Sequence, residues 1–201
     1  RVEQETELQV SYKPASNKTN SLGTLVPVNM RTSVQESLAR VAERVGSIDD
    51  YVAGELGYTP DELSRYFGAE QVDALALAID NLRRGKGFII GDQTGIGKGR
   101  VNAGIIRWAY LHDRVPIFVT QKPGLYADMY RDLSDIGMND LLDDGMRILA
   151  TDNGLSLALN DEGTVAIKNG NPKQQNAILQ RATEDFFKHH DIVFTTDDQR
   201  Q

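Results

Sequence analysis

The 201 residues include no cysteine, and no apolar run approaches the roughly 18 residues that a membrane helix needs. The missing thiols exclude disulfides, thiolate metal sites and a cysteine nucleophile. The polar N-terminal stretch RVEQETELQV lacks the apolar segment of a signal peptide. These absences predict a cytoplasmic protein with no membrane partner.

The charge of the chain is unevenly distributed. Its 29 acidic and 22 basic residues give a net charge of −7, which argues against affinity of the whole surface for nucleic acid. Residues 81–131 nevertheless carry nine basic and three acidic side chains, whereas residues 132–163 carry eight acidic ones and a single arginine. Solvated helix faces explain most of these charges taken singly, but the clustering predicts that contacts with polyanions concentrate in residues 81–131.

The sequence pattern divides the chain into three parts. Residues 1–29 are rich in turn formers and predict an extended arm. Residues 30–85 have apolar stripes at helical spacing, with a capping box at Thr59, Pro60 and Glu62, and predict a helical region packed on the core. From residue 86 onward, short apolar runs alternate with helical segments, so residues 86–201 form the third part, with a strand-and-helix pattern.

This alternation predicts an α/β fold with a mostly parallel sheet flanked by helices. The expected strands are GFIIGD, VPIFVT, MRILA and DIVFTT, and the first of them has the continuous apolar character of a strand buried on both faces. Residues 172–190 predict a helix between the last two strands. Two short apolar runs around a polar turn, in residues 155–168, predict an inserted β-hairpin.

A glycine-rich turn, GDQTGIGKGR in residues 91–100, joins the first predicted strand to a helix. Such a turn directs backbone N–H groups and a helix N-terminus at phosphate oxygens, and Lys98 would reach the outer phosphates. An ordinary glycine-rich turn is the alternative; we favour the phosphate loop because strand, loop, Gly-Lys and helix occur in the required order. The loop departs from the usual pattern at Asp92 and at Gly99, which stands where a Ser or Thr normally binds Mg²⁺.

Together with AGII and the later YADMYRDLSDIG, this turn resembles the strawberry-notch-like, superfamily 2 helicase-type NTPases. The similarity extends from about Tyr12 to Thr196 and is greatest to the large phage and plasmid antirestriction proteins that combine such a region with a DNA methylase. Those families also have GKGR at this turn. The resemblance implies a RecA-like P-loop NTPase in residues 86–201, with ATP and Mg²⁺ as cofactors, ADP and DNA as partners, and a phage-encoded origin.

The resemblance also implies roles for individual residues. It assigns the nucleotide to helicase motif I, with Lys98 as the catalytic contact to the β and γ phosphates; these residues are Thr94, Gly95, Ile96, Gly97, Lys98, Gly99 and Arg100. Gln71 resembles the upstream glutamine that recognises adenine, although its spacing alone fits a solvated glutamine on an amphipathic helix equally well. The segment VTQKPGLYADMYRDL matches motif Ia, so Thr120, Gln121 and Lys122 would contact the nucleic-acid backbone.

Two parts of a complete helicase motor are missing from the sequence: a D-E-x-[HD] motif II and a second RecA-like half with its arginine finger. Because the chain begins at Arg1 and ends in TTDDQRQ, we expect a longer protein in which other domains supply these parts and most of the Mg²⁺ ligands. We therefore predict the ATP-binding portion of a DNA-directed helicase or translocase, with little turnover by these residues alone. The alternative is a nucleotide-responsive or structural DNA-binding module without turnover.

Overall fold

A computed structural model describes residues 9–91, 97–139, 142, 148–152, 154–161, 163–168 and 192–197. The chain forms two compact units, residues 1–105 and 106–201. The secondary-structure elements, in chain order, are β1 (Gln9–Ser11), β2 (Leu25–Pro27), α1 (Val28–Val45), α2 (Ile48–Glu55), α3 (Pro60–Tyr66), α4 (Ala69–Arg83), α5 (Lys98–Leu111), β3 (Ile117–Thr120), α6 (Leu125–Asp135), β4 (Ile148–Ala150), β5 (Ser156–Ala158), β6 (Ala166–Lys168) and β7 (Ile192–Thr196). None of the helices among the described residues is long and apolar enough to cross a membrane.

Helix α3 begins where the sequence predicts a capping box. At α3 the Thr59 hydroxyl accepts the N–H of Glu62 at 3.2 Å, and the Glu62 carboxylate accepts the N–H of Thr59 at 2.8 Å. Pro60 occupies the first helical position, where its missing N–H costs nothing. The predicted capping box is therefore confirmed.

Helix α4 lies at the centre of the first unit. It packs against α1 and α2, and five of its apolar residues are fully buried: Val72, Leu75, Ala76, Ala78 and Ile79. The beginning of α5 also approaches α4 closely, because a Cβ atom added to Gly104 would lie 2.8 Å from Leu75 Cδ2 and 3.4 Å from Phe67 Cζ. Only glycine permits this distance between the two helices.

The arm has more structure than the sequence predicts. Strands β1 and β2 pair in antiparallel fashion, with Val10 opposite Val26. In the segment that connects these strands, the N–H groups of Ala15 and Ser16 donate to the carboxylate of Asp73 on α4, each at 2.8 Å. Burial raises the pKa of Asp73, and the hydrogen bonds from the Ala15 N–H and the Tyr12 hydroxyl oppose this rise.

A second buried carboxylate, Asp49 of α2, also holds the arm. It accepts the Ser16 hydroxyl at 2.5 Å and the N–H of Asn17 at 3.0 Å. An exposed ion pair joins Lys18 to Asp50 at 2.5 Å on the same helix. The arm is thus attached to two helices through side-chain carboxylates that accept its backbone N–H groups.

The predicted first strand, GFIIGD, is wrong for its described residues 87–91. They belong to no strand, and Ile89 is 90% exposed. An apolar run becomes a buried strand only where a neighbouring strand pairs with its N–H and C=O groups, and none of the described strands pairs with this run. Asp92, the last residue of the predicted strand, lies outside the described residues.

The second unit contains the parallel sheet. Strand β7 pairs in parallel with β3 on one side and with β4 on the other, so that Phe118 and Ala150 both lie opposite Phe194. Phe194 is fully buried and its ring centroid lies 5.1 Å from that of Tyr126 on α6. These strands confirm the α/β class and the parallel pairing; the helix predicted in residues 172–190 lies outside the described residues.

The inserted β-hairpin is confirmed. Strands β5 and β6 pair in antiparallel fashion, with Leu157 opposite Ile167. Asn160 stabilises the turn, because its side-chain oxygen accepts the N–H of Val165 at 2.9 Å and its amide nitrogen donates to the Thr164 hydroxyl at 2.7 Å.

The close approach at Gly104 yields a prediction about stability. We expect Gly104→Ala to lower the free energy of unfolding by about 1–3 kcal/mol, since the new methyl group must displace the buried Leu75. Gly54→Ala is the matched control, because a Cβ at Gly54 in α2 meets nothing within 4 Å. This control should raise the free energy of unfolding by about 0.5–1 kcal/mol. Denaturant titration measures both, and two changes of the same sign would contradict the packing at Gly104.

Candidate functional site

The N-terminus of α5 carries the described part of the glycine-rich loop. Helix α5 begins at Lys98, and the carbonyl of Gly97 accepts the N–H of Arg100 at 3.0 Å. The first turn of a helix carries a partial positive charge that attracts anions. Lys98 and Arg100 add two formal positive charges to this turn, which therefore suits a phosphate group.

Gly97 is in the left-handed region with a φ of 74°, which glycine adopts without steric cost. A Cβ at this position would also collide with Nε2 of Gln71. The backbone conformation therefore favours glycine at position 97, and a larger residue there would also displace the Gln71 side chain.

Gln71 lies against this turn. Its amide nitrogen donates to the carbonyl oxygen of Gly97 at 3.4 Å, and its amide oxygen accepts the N–H of Gly68 at 3.0 Å. The side chain is buried, with 8% of its surface exposed. Its orientation is thus fixed at both ends by backbone groups, and the surroundings are not those of a solvated surface glutamine.

Arg100 is also held at this site. Its Nη1 donates to the carbonyl oxygen of Tyr66 at 3.1 Å. Tyr66 is the last residue of α3. The guanidinium group therefore donates a hydrogen bond at the C-terminal end of that helix, where a positive charge is favourable. The structure thus brings together Gln71, Gly97, Lys98, Gly99 and Arg100; the expected residues Thr94, Gly95 and Ile96 lie outside the described residues.

The predicted nucleic-acid contacts belong to the second unit. Thr120 ends β3 opposite Thr196 at the end of β7. Gln121 and Lys122 follow as exposed residues, and the Lys122 carbonyl accepts the N–H of Leu125 at 3.1 Å. All three residues therefore lie at the carboxyl edge of the parallel sheet, the edge at which open α/β sheets bind ligands.

A buried polar cluster that was not predicted from the sequence lies at the same edge. The carboxylate of Asp152, which follows β4, accepts the Thr196 hydroxyl at 2.6 Å and the Tyr126 hydroxyl on its other oxygen. Burial raises the pKa of the Tyr126 hydroxyl above its usual range, and the nearby Asp152 raises it further. Tyr126 therefore remains a proton donor, and it ties the first turn of α6 to the ends of β4 and β7. In the sequence, this cluster could have been anticipated from the position of Asp152 directly after a predicted parallel strand.

These residues suit a phosphate better than a metal ion. The described part of the nucleotide site contributes cationic groups, an amide and a helix N-terminus, and Gly99 offers no hydroxyl oxygen to a cation. In the ranges that the structure describes, no three His, Cys, Asp or Glu side chains could together hold a metal ion. The described side chains of this turn therefore suit a phosphate rather than Mg²⁺.

A family model described as "P-loop containing NTP hydrolase pore-1" matches residues 51–162, which is more than half of the chain. The chain belongs to this family of P-loop NTP hydrolases. The match includes Gln71 and the whole GDQTGIGKGR turn.

A curated relative supports the same conclusion. Protein strawberry notch of Drosophila melanogaster is 50% identical over 52 residues, which is 25% of this chain and 3% of the fly protein. The predicted strawberry-notch-like P-loop family is therefore confirmed, although the match spans only a small fraction of the relative. No solved structure matches the chain.

The cluster around Asp152 yields a prediction for this P-loop NTP hydrolase. We expect Tyr126→Phe to lower the free energy of unfolding by about 1–3 kcal/mol, because a buried carboxylate loses one of its donors. In an Asp152→Ala background the same substitution should cost less, since the acceptor is already gone. Urea denaturation of the wild type, the two single variants and the double variant measures this coupling, and strictly additive losses would reject the contact.

Proposed function

We propose that the N-terminus of α5 binds the phosphates of ATP and that the whole protein uses ATP to drive a DNA-directed helicase or translocase. The observation that carries the nucleotide part is the contact of Gln71 with Gly97 at the start of α5. It puts an amide beside a cationic helix N-terminus, so that one site offers groups for both a base and a phosphate. Membership of a P-loop NTP hydrolase family supports the same reading.

In this proposal each residue has a separate role. Lys98 neutralises the outer phosphates, and the backbone of the loop from Thr94 to Gly99 surrounds them. Gln71 reads the adenine edge through its amide, as the resemblance implies. Arg100 anchors the loop to α3 and adds positive charge. Mg²⁺ would be bound mainly by groups from the rest of the protein.

The DNA part of the proposal concerns the sheet edge in the second unit. Lys122 supplies a positive charge, and Thr120 and Gln121 supply polar groups that suit a phosphodiester backbone. We further propose that residues 86–201 form the first RecA-like domain, that residues 30–85 pack on its core, and that the protein is of the phage or plasmid antirestriction type. The similarity of GDQTGIGKGR and YADMYRDLSDIG to those proteins supports this origin.

The nucleotide site is tested by calorimetry on the purified chain. We expect Lys98→Ala to weaken binding of ATP and ADP by about tenfold or more, because a charge-assisted contact to phosphate is lost. Lys86→Ala removes an exposed lysine of the same unit and should leave the affinity unchanged. Gln71→Ala should weaken ATP more than GTP. Equal affinities of the wild type and Lys98→Ala would overturn the phosphate site.

The nucleic-acid edge is tested by titrating the chain with single-stranded DNA at several salt concentrations. Each phosphate that a lysine neutralises releases counterions, so we expect Lys122→Ala to reduce the slope of log affinity against log salt by about one. Lys168→Ala, which removes an exposed lysine at the end of β6, is the matched control and should leave the slope unchanged. An identical slope for Lys122→Ala and the wild type would reject this contact.

A further inference from the structure

The N-terminal end of α4 is enclosed by three residues of the arm, Asn20, Ser21 and Leu22. The N–H of Ala69, the first residue of α4, donates to the Asn20 carbonyl at 2.9 Å. The carboxylate of Glu70 accepts the Ser21 hydroxyl at 2.7 Å and the N–H of Leu22 at 2.8 Å. The arm thus satisfies a donor that the helix itself leaves without an intrahelical partner.

The side chain of Leu22 also packs against the residue that precedes α4. A Cβ atom at Gly68 would lie 2.5 Å from Leu22 Cγ. Gly68 therefore lies in close contact with the arm, although 49% of the Leu22 surface remains exposed.

The same backbone position determines the orientation of Gln71. The Gly68 N–H donates to the Gln71 amide oxygen, and the Gln71 amide nitrogen donates to the Gly97 carbonyl. An unbroken series of contacts therefore extends from the arm through Gly68 and Gln71 to the start of α5. Glu70, which binds the arm, is adjacent to Gln71 in the sequence.

We propose that Ser21, Leu22 and Glu70 are positioning residues that hold Gln71 against Gly97 and thereby set the affinity and base preference of the nucleotide site. This inference rests on the proposed nucleotide function. The arm acts on the site without contacting the nucleotide, since its effect passes through the first turn of α4.

The contacts of residues 12–17 make it possible to distinguish the positioning of Gln71 from the attachment of the arm to the helices. Asp73 and Asp49 hold residues 12–17 through their own hydrogen bonds. When the contacts of residues 20–22 are weakened, the arm stays bound to α2 and α4. A change at Glu70 therefore loosens the end of α4 and leaves the remaining attachment intact.

Hydrogen bonding also keeps Glu70 in its charged form. Burial would raise the pKa of this carboxyl group, but several hydrogen bonds, the strongest of them from Leu22 and Ser21, together hold the pKa below its usual value. Glu70 is therefore an anion at neutral pH, and the neutral isostere glutamine tests its contribution with little change in shape.

The experiment compares Glu70→Gln with Asp49→Asn in the full 201-residue chain. Both replace a carboxylate that accepts a serine hydroxyl and a backbone N–H of the arm by the matching amide. We expect calorimetry to show that Glu70→Gln binds ATP with a dissociation constant about three- to tenfold higher than that of the wild type. The preference of this variant for ATP over GTP should also be smaller. Asp49→Asn should lower the thermal unfolding midpoint but leave both nucleotide affinities unchanged. Ser21→Ala is the milder second variant should Glu70→Gln fail to fold, and it should change the affinities in the same direction.

Combination with Gln71→Ala decides whether the effect passes through Gln71. In that background Glu70→Gln should cause no further change in ATP affinity or base preference. Additive effects, or equal losses of affinity in Glu70→Gln and Asp49→Asn, would overturn the positioning role while leaving the nucleotide site in place. A wild-type chain that binds neither ATP nor GTP would overturn the proposed function and this inference together.

Discussion

A carboxylate removed from water must receive hydrogen bonds, and this requirement organises the first unit. Asp49 and Asp73 are each only 1% exposed, and Glu70 is 9% exposed. Without donors, such charges would destabilise the helices that carry them by several kcal/mol each. The arm supplies hydrogen-bond donors to all three carboxylates. The burial of these charges on α2 and α4 therefore depends on the attachment of the arm. The position of Gln71 beside Gly97 follows from that arrangement, since Gln71 lies between Glu70 and Asp73 on α4.

The second unit meets the same requirement with hydroxyl groups. Asp152 is buried after β4, and Tyr126 and Thr196 donate to its two oxygens. This carboxylate joins three elements at the edge of the sheet where Thr120, Gln121 and Lys122 follow β3. The loop that follows β3 is thus built next to a buried, hydrogen-bonded support, which gives its exposed residues a defined position. In both units the cationic candidates Lys98, Arg100 and Lys122 are exposed or half-buried, while the carboxylates near them are buried.

The sequence predicts features that depend on neighbouring residues better than features that depend on residues far apart in the chain. The capping box at Thr59, the stripe of α4 and the hairpin of β5 and β6 depend on residues within about ten positions of each other, and local pattern predicts them. The contacts of Asp73 with the arm join residues 57–61 positions apart, and no periodicity encodes such pairs. The first strand was predicted wrongly from apolar character alone, which says nothing about a partner strand. For the site, the motif identified Gly97 and Lys98, but the burial of Gln71 and the cluster at Asp152 required three-dimensional packing.

Residues 15–17 of the arm are bound through their main-chain N–H groups, and this has an evolutionary consequence. Asp73 and Asp49 accept the N–H groups of Ala15, Ser16 and Asn17, and every amino acid except proline carries such a group. Side chains at positions 15 and 17 can therefore diverge among related proteins while the attachment persists, provided that proline is avoided there and the acceptors remain on the helices. Homologous arms should accordingly be recognisable by the two aspartates of α2 and α4 rather than by their own sequence.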